Sequence, residues 1–506
     1  MIVWDVAQGS IAVEVLADHP LADELQFHRL FEQVLEDPFA VLLDSAARAS
    51  RFSRHSVIAV EPEAVLVARG SPLLAAGQAQ LELHTRDGCV QRYQGAPFAE
   101  LERRLAERRL PSALRAQLPE GFVGGAIGFA GYDAGRFLER LPERAARDLD
   151  LPELCFLFVD SLLTYEHQSR VLRWIVSARG SDRAQAQARC HARMAELRAR
   201  FAPTAEVSAE AGSSNEREHE AEAIGTLRAE IDPAAYAEMV RAAKAQIVAG
   251  NVFEVCTSQR LQAEFPRDRR AIWSLYLALR AQSPASFACC VLTPFACLLS
   301  SSPERFLQLS ADGWAESRPI KGTRPRGSTP DEDARLRAEL ESSEKDRAEN
   351  VMIVDLARND LGRVCKVNSI HVPELMIVEE HPSVFHMVST VRGRIEDGVS
   401  PVQLFAACFP PGSMTGAPKI EAMKVIDALE PVRRGIYSGA VGYFDLGGAL
   451  DFSVVIRSFV ISDGRCTINV GGAVVADSDP EDEYRESMDK ARALLAALAD
   501  ERGRAR

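Results

Sequence analysis

The sequence predicts a mixed α/β (α+β) protein of 506 residues built in two parts. Short apolar runs of strand length alternate with longer stretches whose apolar residues recur at helical spacing. Apolar residues make up 47% of the chain, which is enough for a sizeable core. A long polar stretch, 203–222, cannot bury enough surface to offset its ordering entropy. We therefore predict an N-terminal domain over 1–202, a linker over 203–228 and a C-terminal domain over 229–500.

Each part contains candidate strands and helices. Before the linker, strands are predicted over 40–43, 57–60, 64–68, 156–159 and 171–176, and a helix over 181–201. After it, strands are predicted over 252–256, 287–299, 441–446 and 452–461, and helices over 236–248, 342–361, 418–429 and 480–498. Similar glycine-rich strings begin at Gly125 and Gly439 and hint at two related sheets.

Composition excludes some classes of protein. The formal net charge of -13 argues against nucleic-acid binding, which needs a basic surface. No run of about 18 apolar residues is available to span a bilayer, and the first residues do not form a secretory signal. The ten cysteines lack C-x-x-C spacing, which favours reduced, mostly buried thiols. We therefore expect a cytoplasmic protein that binds neither nucleic acid nor membrane.

The segment 318–327 carries four cationic side chains in ten residues. Its prolines and glycines predict a loop, which is either a solvated basic surface or part of a site. Lys321 precedes a glycine, a placement that would let the backbone come close to a ligand. A nucleophilic lysine must be partly neutral, and Arg318, Arg324 and burial would lower the pKa of Lys321.

A second segment, 409–419, is a turn rich in glycine and proline that leads into a predicted helix. The free N–H groups at a helix N-terminus are a natural anion site, although a plain structural turn fits the pattern equally well. The segment lacks the Gly-Lys-Ser/Thr ending of a P-loop, so nucleotide hydrolysis is rejected.

Three glutamates are candidate ligands. Glu483 and Glu486 lie three residues apart near the start of a predicted helix, so they share one face. Such acids are either surface groups or ligands. Glu349 lies just before the apolar run 351–354, and a carboxylate entering a buried helix needs a partner. A hard cation bound through oxygen would serve.

Two further side chains leave alternatives open. Arg457 shares a face of the predicted strand 452–461 with Val455 and Phe459, so its buried guanidinium needs an anion. That anion is either a protein carboxylate or a bound one. His386 is either a satisfied core histidine or an acid–base group.

Together these segments resemble the chorismate-utilising enzymes. The resemblance covers about 234–498, with a weaker match at 39–45, and implies two facing β-sheets in a sandwich with helices packed outside. Its motifs are Ser300-Ser-Ser-Pro-Glu-Arg-Phe306, the Lys321 segment, Asp355-Leu-Ala-Arg-Asn-Asp-Leu-Gly362, the Gly412 turn and Gly471-Gly-Ala-Val-Val-Ala-Asp-Ser478.

Within this family the chain resembles the branch that aminates chorismate at C4, the aminodeoxychorismate synthases. That branch reads Pro-Ile-Lys-Gly-Thr, as at 319–323, where its sister enzymes typically carry alanine in place of the lysine. Anthranilate synthases tend to read Asn-Pro-Ser-Pro-Tyr-Met at their tryptophan site, and 281–286 lacks that tyrosine and methionine. Two positions depart from the branch. Glu254 is commonly glutamine there, and 470–473 reads Val-Gly-Gly-Ala where the loop often reads Ala-Gly-Gly-Gly.

The resemblance implies a role for each candidate. Lys321 adds to C2 of chorismate, Glu304 is the general acid for the departing C4 hydroxyl, and His386 orients the ring. Mg²⁺ is the implied cofactor. Its ligands would be Glu349, Glu483 and Glu486, and the substrate contacts would be Ser413, Tyr437, Arg457, Gly471, Gly472, Ala473 and Lys490.

The implied product is 4-amino-4-deoxychorismate, formed from chorismate and ammonia for p-aminobenzoate and folate synthesis. The chain has no Gly-x-Cys-x-Gly elbow, so a separate glutamine amidotransferase subunit is expected to supply the ammonia. Two alternatives remain. One is anthranilate synthase component I of tryptophan biosynthesis, and the other is a catalytically silent paralogue that binds chorismate or tryptophan and regulates a partner.

Overall fold

Two large antiparallel sheets dominate the computed structural model, which describes every residue except 7–8, 18–23, 48–49, 72, 203–223, 382–383 and 505–506. Strands and helices are numbered along the chain. In spatial order the first sheet contains β1 (Ile2–Val6), β2 (Gly9–Ala17), β11 (Val171–Gly180), β10 (Ser161–Glu166), β4 (His55–Val60), β3 (Ala40–Asp44), β14 (Phe287–Leu292), β15 (Cys297–Ser302), β24 (Ser458–Ser462), β25 (Arg465–Val474), β13 (Glu254–Glu264) and β12 (Arg228–Ala229), and β21 (Gly416–Ala417) also pairs with β13.

The second sheet lies against the first. Its strands, in spatial order, are β18 (Ile320–Pro325), β20 (Val384–Arg394), β17 (Trp314–Ser317), β16 (Arg305–Leu309), β23 (Leu450–Val454), β22 (Ala440–Asp445), β8 (Gly125–Ala130), β9 (Leu154–Val159), β5 (Ala64–Arg69), β6 (Ala79–Thr85) and β7 (Val90–Gly95), and β19 (His371–Glu380) also pairs with β20. One buried cluster joins Val41 and Ile175 of the first sheet to Val65 and Ile127 of the second, so the sheets face each other.

Helices cover the outer faces of both sheets, which confirms the predicted sandwich. A second core cluster packs helices on the first sheet, and a third packs helices on the second. The helices are α1 (Glu24–Glu32), α2 (Pro97–Arg108), α3 (Ser112–Arg115), α4 (Arg183–Arg200), α5 (Pro233–Val248), α6 (Arg269–Gln282), α7 (Pro330–Ser342), α8 (Glu344–Gly362), α9 (Pro401–Cys408), α10 (Lys419–Leu429) and α11 (Pro480–Arg504), with short 3-10 turns at Tyr132–Phe137 and Gly412–Met414.

The parts of the chain before and after the predicted linker build both sheets together. Strand β3 pairs with β14 in the first sheet, and β8 pairs with β22 in the second. The two glycine-rich strings are therefore neighbours in one sheet rather than members of two related sheets. Residues 203–223 of the predicted linker lie outside the described residues. Within its remaining part, the Gly225 N–H donates a hydrogen bond to the Glu264 carbonyl. The division into 1–202 and 229–500 stays a prediction.

Two predicted strands are each divided in two. The run 287–299 turns at Thr293, whose hydroxyl accepts hydrogen bonds from the N–H groups of Phe295 and Ala296. The run 452–461 breaks between β23 and β24, and Arg457 lies in this break with a φ of 53°. The prediction that Arg457 lies on a strand face was wrong, because the apolar pattern continues through the break.

Candidate active site

Lys321 forms a buried ion pair with Glu254. The lysine lies on β18 of one sheet and the glutamate begins β13 of the other. The Lys321 Nζ lies 2.7 Å from Glu254 Oε1, and Glu254 is completely buried. The second carboxylate oxygen of Glu254 is buried as well and has no hydrogen-bond partner in the described part of the chain. The site thus holds one cation and a carboxylate oxygen that is free to accept a proton.

The ion pair overturns the prediction of a lowered pKa for Lys321. Burial lowers the pKa of Lys321. The charge of Glu254, added to the effects of other nearby groups, outweighs burial, so the pKa is raised. Arg318 has its own carboxylate partners in Glu374 and Glu379, and Arg324 pairs with acids of α7 and α8. In the free protein Lys321 is therefore a protonated ammonium group.

The Lys321 segment is a strand rather than the predicted loop, since β18 pairs with β20. The glycine beside Lys321 was expected to let the backbone approach a ligand, but the structure gives it another role. Gly322 has a φ of +86°, and a Cβ there would meet Leu340 at 2.8 Å and Asp346 at 2.9 Å. Gly322 therefore lets α7 and α8 approach the strand, and the close approach is to the protein itself.

Glu304 has the properties of a general acid near neutral pH. It lies between β15 and β16 and is only 6% exposed. Burial raises the pKa of Glu304 to about 7, against a hydrogen bond from Ser413 and the charge of Lys321. Glu304 and Ser413 also line one cavity of about 20 Å³, which is enough room for a water molecule.

The three candidate metal ligands converge from two helices. Glu349 lies on α8, whereas Glu483 and Glu486 lie on α11. The Lys345 Nζ lies 3.9 Å from Glu349 Oε1 and 3.8 Å from Glu483 Oε1, so the ammonium group of Lys345 contacts acids of both helices. Burial raises the pKa of Glu349 to about 7 and also raises the pKa of Glu483. The nearby Lys490 lowers the pKa of Glu486, which is half exposed.

This carboxylate set fits a hard divalent cation. Glu483 Oε2 is buried and has no hydrogen-bond partner among the described residues. A Cβ at Gly472 would lie 2.7 Å from that oxygen and 3.8 Å from Glu486 Oε1, so a side chain on β25 would fill the space. Buried carboxylate oxygens around such a space are the ligands that Mg²⁺ takes.

A tighter acidic group lies elsewhere, but an arginine neutralises it. Glu24, His28 and Asp44 have possible ligand atoms within 4.8 Å of one another. Arg280 donates to both carboxylates, at 2.5 Å to Glu24 and 2.7 Å to Asp44. The pKa of Asp44 falls well below its usual range, because hydrogen bonds and charge from His28 and Arg280 outweigh burial. This group is a polar network within the fold, and the space a cation would need is taken by a guanidinium.

Arg457 and His386 lie close enough for the charge of Arg457 to affect the pKa of His386. A charged Arg457 beside a neutral His386 would suit an anionic ligand. Arg457 donates to the Lys490 carbonyl at 3.0 Å and forms no ion pair with a carboxylate of the described residues. Of the two anions considered for Arg457, the protein carboxylate is thus not found. Burial, with the charges of His381 and Arg457, lowers the pKa of His386 to about 3. His386 is therefore neutral, and its buried Nδ1 has no partner in the described structure.

The remaining substrate candidates surround the same region. Tyr437 is buried, which raises its pKa to about 12. Gly471 to Ala473 pair with β13 on one side, whereas the pairing of β25 with β24 ends at Ile468, so the other edge carries no described strand. Lys490 donates to the Gly471 carbonyl at 2.9 Å and to Glu486 at 2.8 Å.

Sequence reasoning missed two charged pairs at the site. The sequence motifs include Glu254 only as a departure from the branch, and they assign no role to Glu430. Glu254 pairs with Lys321, and Glu430 pairs with the buried Arg434. The single signal available was the unusual placement of charged residues inside or directly beside apolar runs.

The sandwich thus holds a buried lysine–glutamate pair, a buried acid and a set of carboxylates from two helices, which are groups typical of an enzyme active site. The chain matches the family model described as chorismate binding enzyme over residues 54–496, and it belongs to that family. The predicted resemblance to the chorismate-utilising enzymes is confirmed.

Several relatives of this chain are named aminodeoxychorismate synthases. The chain is 45% identical over 412 residues to the aminodeoxychorismate synthase of Streptomyces pristinaespiralis, covering 81% of this chain and 55% of that protein. The chain thus spans about half the length of that relative. It is 36% identical to aminodeoxychorismate synthase component 1 of Klebsiella aerogenes, covering 92% of this chain and 95% of that one. Anthranilate synthase component 1 of Thermus thermophilus is 37% identical, with 91% of this chain and 92% of that one covered.

The fold has solved counterparts. Anthranilate synthase component I from Streptococcus pneumoniae superposes with a TM-score of 0.72 and 28% identity, over 87% of this chain and 92% of that one. No helix in the described residues is long and apolar enough to cross a membrane.

Proposed function

We propose that this chain aminates chorismate at C4 with ammonia and forms 4-amino-4-deoxychorismate for p-aminobenzoate and folate synthesis. The observation that carries the proposal is Lys321, a buried lysine paired with Glu254 and close enough to Glu304 for its charge to affect the pKa of that carboxyl group. The names of the Streptomyces and Klebsiella relatives support it.

The first step joins Lys321 to the ring. The lysine passes a proton to Glu254, the carboxylate 2.7 Å away, and its lone pair then adds to C2 of chorismate. The conjugated double bonds of the ring shift toward C4 and the C4–O bond breaks. Glu304 gives its proton to the departing hydroxyl, which leaves as water.

The second step releases the lysine. Ammonia adds to C4, the double bonds shift back and the bond between C2 and the Lys321 nitrogen breaks. The product keeps its enolpyruvyl group and leaves with a protonated amine. Lys321 recovers its proton from Glu254, which restores the ion pair, and Glu304 takes a proton from solvent.

Mg²⁺ is the proposed cofactor, held by Glu349, Glu483 and Glu486. When bound it supplies positive charge that neutralises the ring carboxylate of chorismate and draws electrons from the ring. Arg457, Tyr437 and the open edge of 471–473 would hold the side-chain carboxylate, while neutral His386 packs beside the ring. Ser413 and Lys490 complete the proposed contacts.

A separate glutamine amidotransferase subunit is proposed as the source of ammonia. The sequence contains no cysteine elbow for glutamine hydrolysis, and the Klebsiella relative is named component 1. A cytoplasmic location stays a prediction.

Anthranilate synthase is the second candidate function, because the Thermus relative with that name is as similar to this chain as the Klebsiella one. That reaction places the amino group on C2 and expels pyruvate.

Identification of the product separates the two functions. The purified chain is incubated with chorismate, Mg²⁺ and ammonium at alkaline pH, and the products are measured by mass spectrometry and fluorescence. We expect 4-amino-4-deoxychorismate, which is not aromatic. Fluorescent anthranilate as the main product would contradict the proposal and establish the second candidate.

A further inference from the structure

Arg434 forms hydrogen bonds with three elements that adjoin the candidate active site. It is 4% exposed and follows α10. Its Nη1 donates to the Met414 carbonyl at 2.7 Å, and its Nη2 donates to the Cys256 carbonyl at 2.8 Å. Its Nε and Nη2 also bind the carboxylate of Glu430, at 2.9 and 2.6 Å. One side chain therefore holds the 409–419 turn, strand β13 and the end of α10.

Glu430 completes this arrangement. The carboxylate is 6% exposed and accepts hydrogen bonds from the backbone N–H and hydroxyl of Ser258, at 2.8 and 2.9 Å. The pair is fully hydrogen-bonded, which a buried ion pair needs in order to be stable.

The groups held by Arg434 adjoin the reacting residues. Met414 follows Ser413, and Ser413 lines the same cavity as Glu304. The Ser413 carbonyl also accepts from Cys256 Sγ at 3.3 Å, and Cys256 lies two residues from Glu254. The position of Ser413 relative to Glu304 thus depends on the contact between the 409–419 turn and β13.

We propose that Arg434 is a positioning residue for the general acid. It holds the 409–419 turn against β13 so that Ser413 stays beside Glu304 in their shared cavity while the C4 hydroxyl departs. The role rests on the proposed function, in which Glu304 gives up that proton. Arginine is required because its planar fork serves a carboxylate and two separate carbonyls together, which the single ammonium of lysine cannot do.

The test is a double-mutant cycle of Arg434→Lys and Ser413→Ala. The turnover number and the KM for chorismate are measured for each variant with saturating ammonium, whatever the product is. We expect each single substitution to lower the turnover number about tenfold or more, since small displacements of a reacting group have large kinetic effects. The KM for chorismate should stay within about twofold, and Arg434→Lys should cost less than about twofold further in the Ser413→Ala background.

The adjacent arginine provides the matched control. Arg433 pairs instead with Glu143 and Glu153, at 3.7 and 4.0 Å, so Arg433→Lys, which keeps the charge, should turn over within about twofold of the wild type. If Arg434→Lys does not fold, Glu430→Gln is used in the same cycle, because it weakens the arginine's anchor and keeps the side-chain shape.

Two results would overturn the inference: full turnover by Arg434→Lys, or equal losses in the wild-type and Ser413→Ala backgrounds. Neither depends on which product forms. Anthranilate as the wild-type product would contradict the proposed function, and the cycle would still decide whether Arg434 acts through Ser413.

Discussion

Lys321 and Glu254 place opposite charges in a buried site, so a substitution of the lysine affects both chemistry and stability. We expect Lys321→Ala to lose C4 amination because the nucleophile is gone, and to form some anthranilate, since the remaining site resembles that of the sister enzymes. The unpaired Glu254 should cost about 3–5 kcal/mol of unfolding free energy.

The double variant Lys321→Ala/Glu254→Gln is the control for that loss of stability. It removes both charges, so the melting temperature should recover while C4 amination does not. Mass spectrometry of the products and thermal denaturation measure the two effects. C4 amination by Lys321→Ala at the wild-type rate would contradict the role of the lysine.

In the proposed reaction, Glu304 sets the pH dependence of the first step. Its pKa is raised to about 7, and the protonated form is the one that donates. With Mg²⁺ saturating, which keeps Glu349 ionised, the rate of adduct formation between chorismate and Lys321 should therefore fall as the pH rises through about 7. Glu304→Gln cannot donate and should be slower by about 10²–10⁴, without this pH dependence. Rapid quenching and intact-mass analysis give the rate, and a wild-type rate that increases steadily through pH 7 would argue against Glu304 as the acid.

Motifs predicted the candidate site residues, but they could not predict the charge of Lys321. The nearest charged residues in sequence are the arginines at 318 and 324, which suggested a lowered pKa. The controlling group is Glu254, 67 residues away in the chain and on the opposite sheet. A pKa depends on neighbours in space, so a reading based on sequence neighbours reached the wrong sign.

Helices α8 and α11 carry the proposed metal ligands, and their exposed faces supply controls. We expect activity to require Mg²⁺ and to be lost in Glu349→Gln and Glu486→Gln, because each removes one charge from a site for a hard cation. Both variants should keep the wild-type melting temperature in the absence of metal to within a few degrees.

The matched control is Glu481→Gln, an exposed acid in the first turn of α11. Its Mg²⁺ dependence and turnover, measured by titrating the metal into chelator-treated protein, should match those of the wild type. Full turnover by Glu349→Gln or Glu486→Gln in metal-depleted buffer would show that these residues do not hold the cofactor.

Most elements could be predicted from the periodicity of apolar residues, and their interruptions could not. The helix predicted over 342–361 forms as Glu344–Gly362, because capping and an apolar stripe both mark it. The run 452–461 is apolar throughout, so nothing in its pattern shows the break where Arg457 lies. The guanidinium of Arg457 donates from this break to the Lys490 carbonyl, and the proposed contact with the substrate depends on that placement.

The whole molecule is one sandwich to which both parts of the chain contribute strands. The resemblance predicted this architecture, whereas strand pairing over hundreds of residues cannot be obtained from local patterns. The proposed site residues all lie between Glu254 and Lys490, and the earlier strands extend the two sheets that support them.

The proposed division of labour between subunits gives a prediction about the nitrogen source. The purified chain should use ammonium at alkaline pH and should not use glutamine, because the sequence contains no cysteine elbow. Product formation is measured with each nitrogen source in the presence of chorismate and Mg²⁺. Turnover with glutamine, in protein shown by mass spectrometry to contain no second subunit, would reveal an overlooked glutaminase site.

The measurement that tests the account most directly is the trapping of Lys321. A lysine that attacks C2 should form a covalent adduct when chorismate and Mg²⁺ are supplied without ammonia. Intact-mass analysis should show the added mass, and peptide mapping should place it on the peptide that contains residues 319–323. Lys321→Ala should show no adduct. A wild-type chain that turns chorismate into anthranilate and forms no adduct at Lys321 would contradict C4 amination by this site.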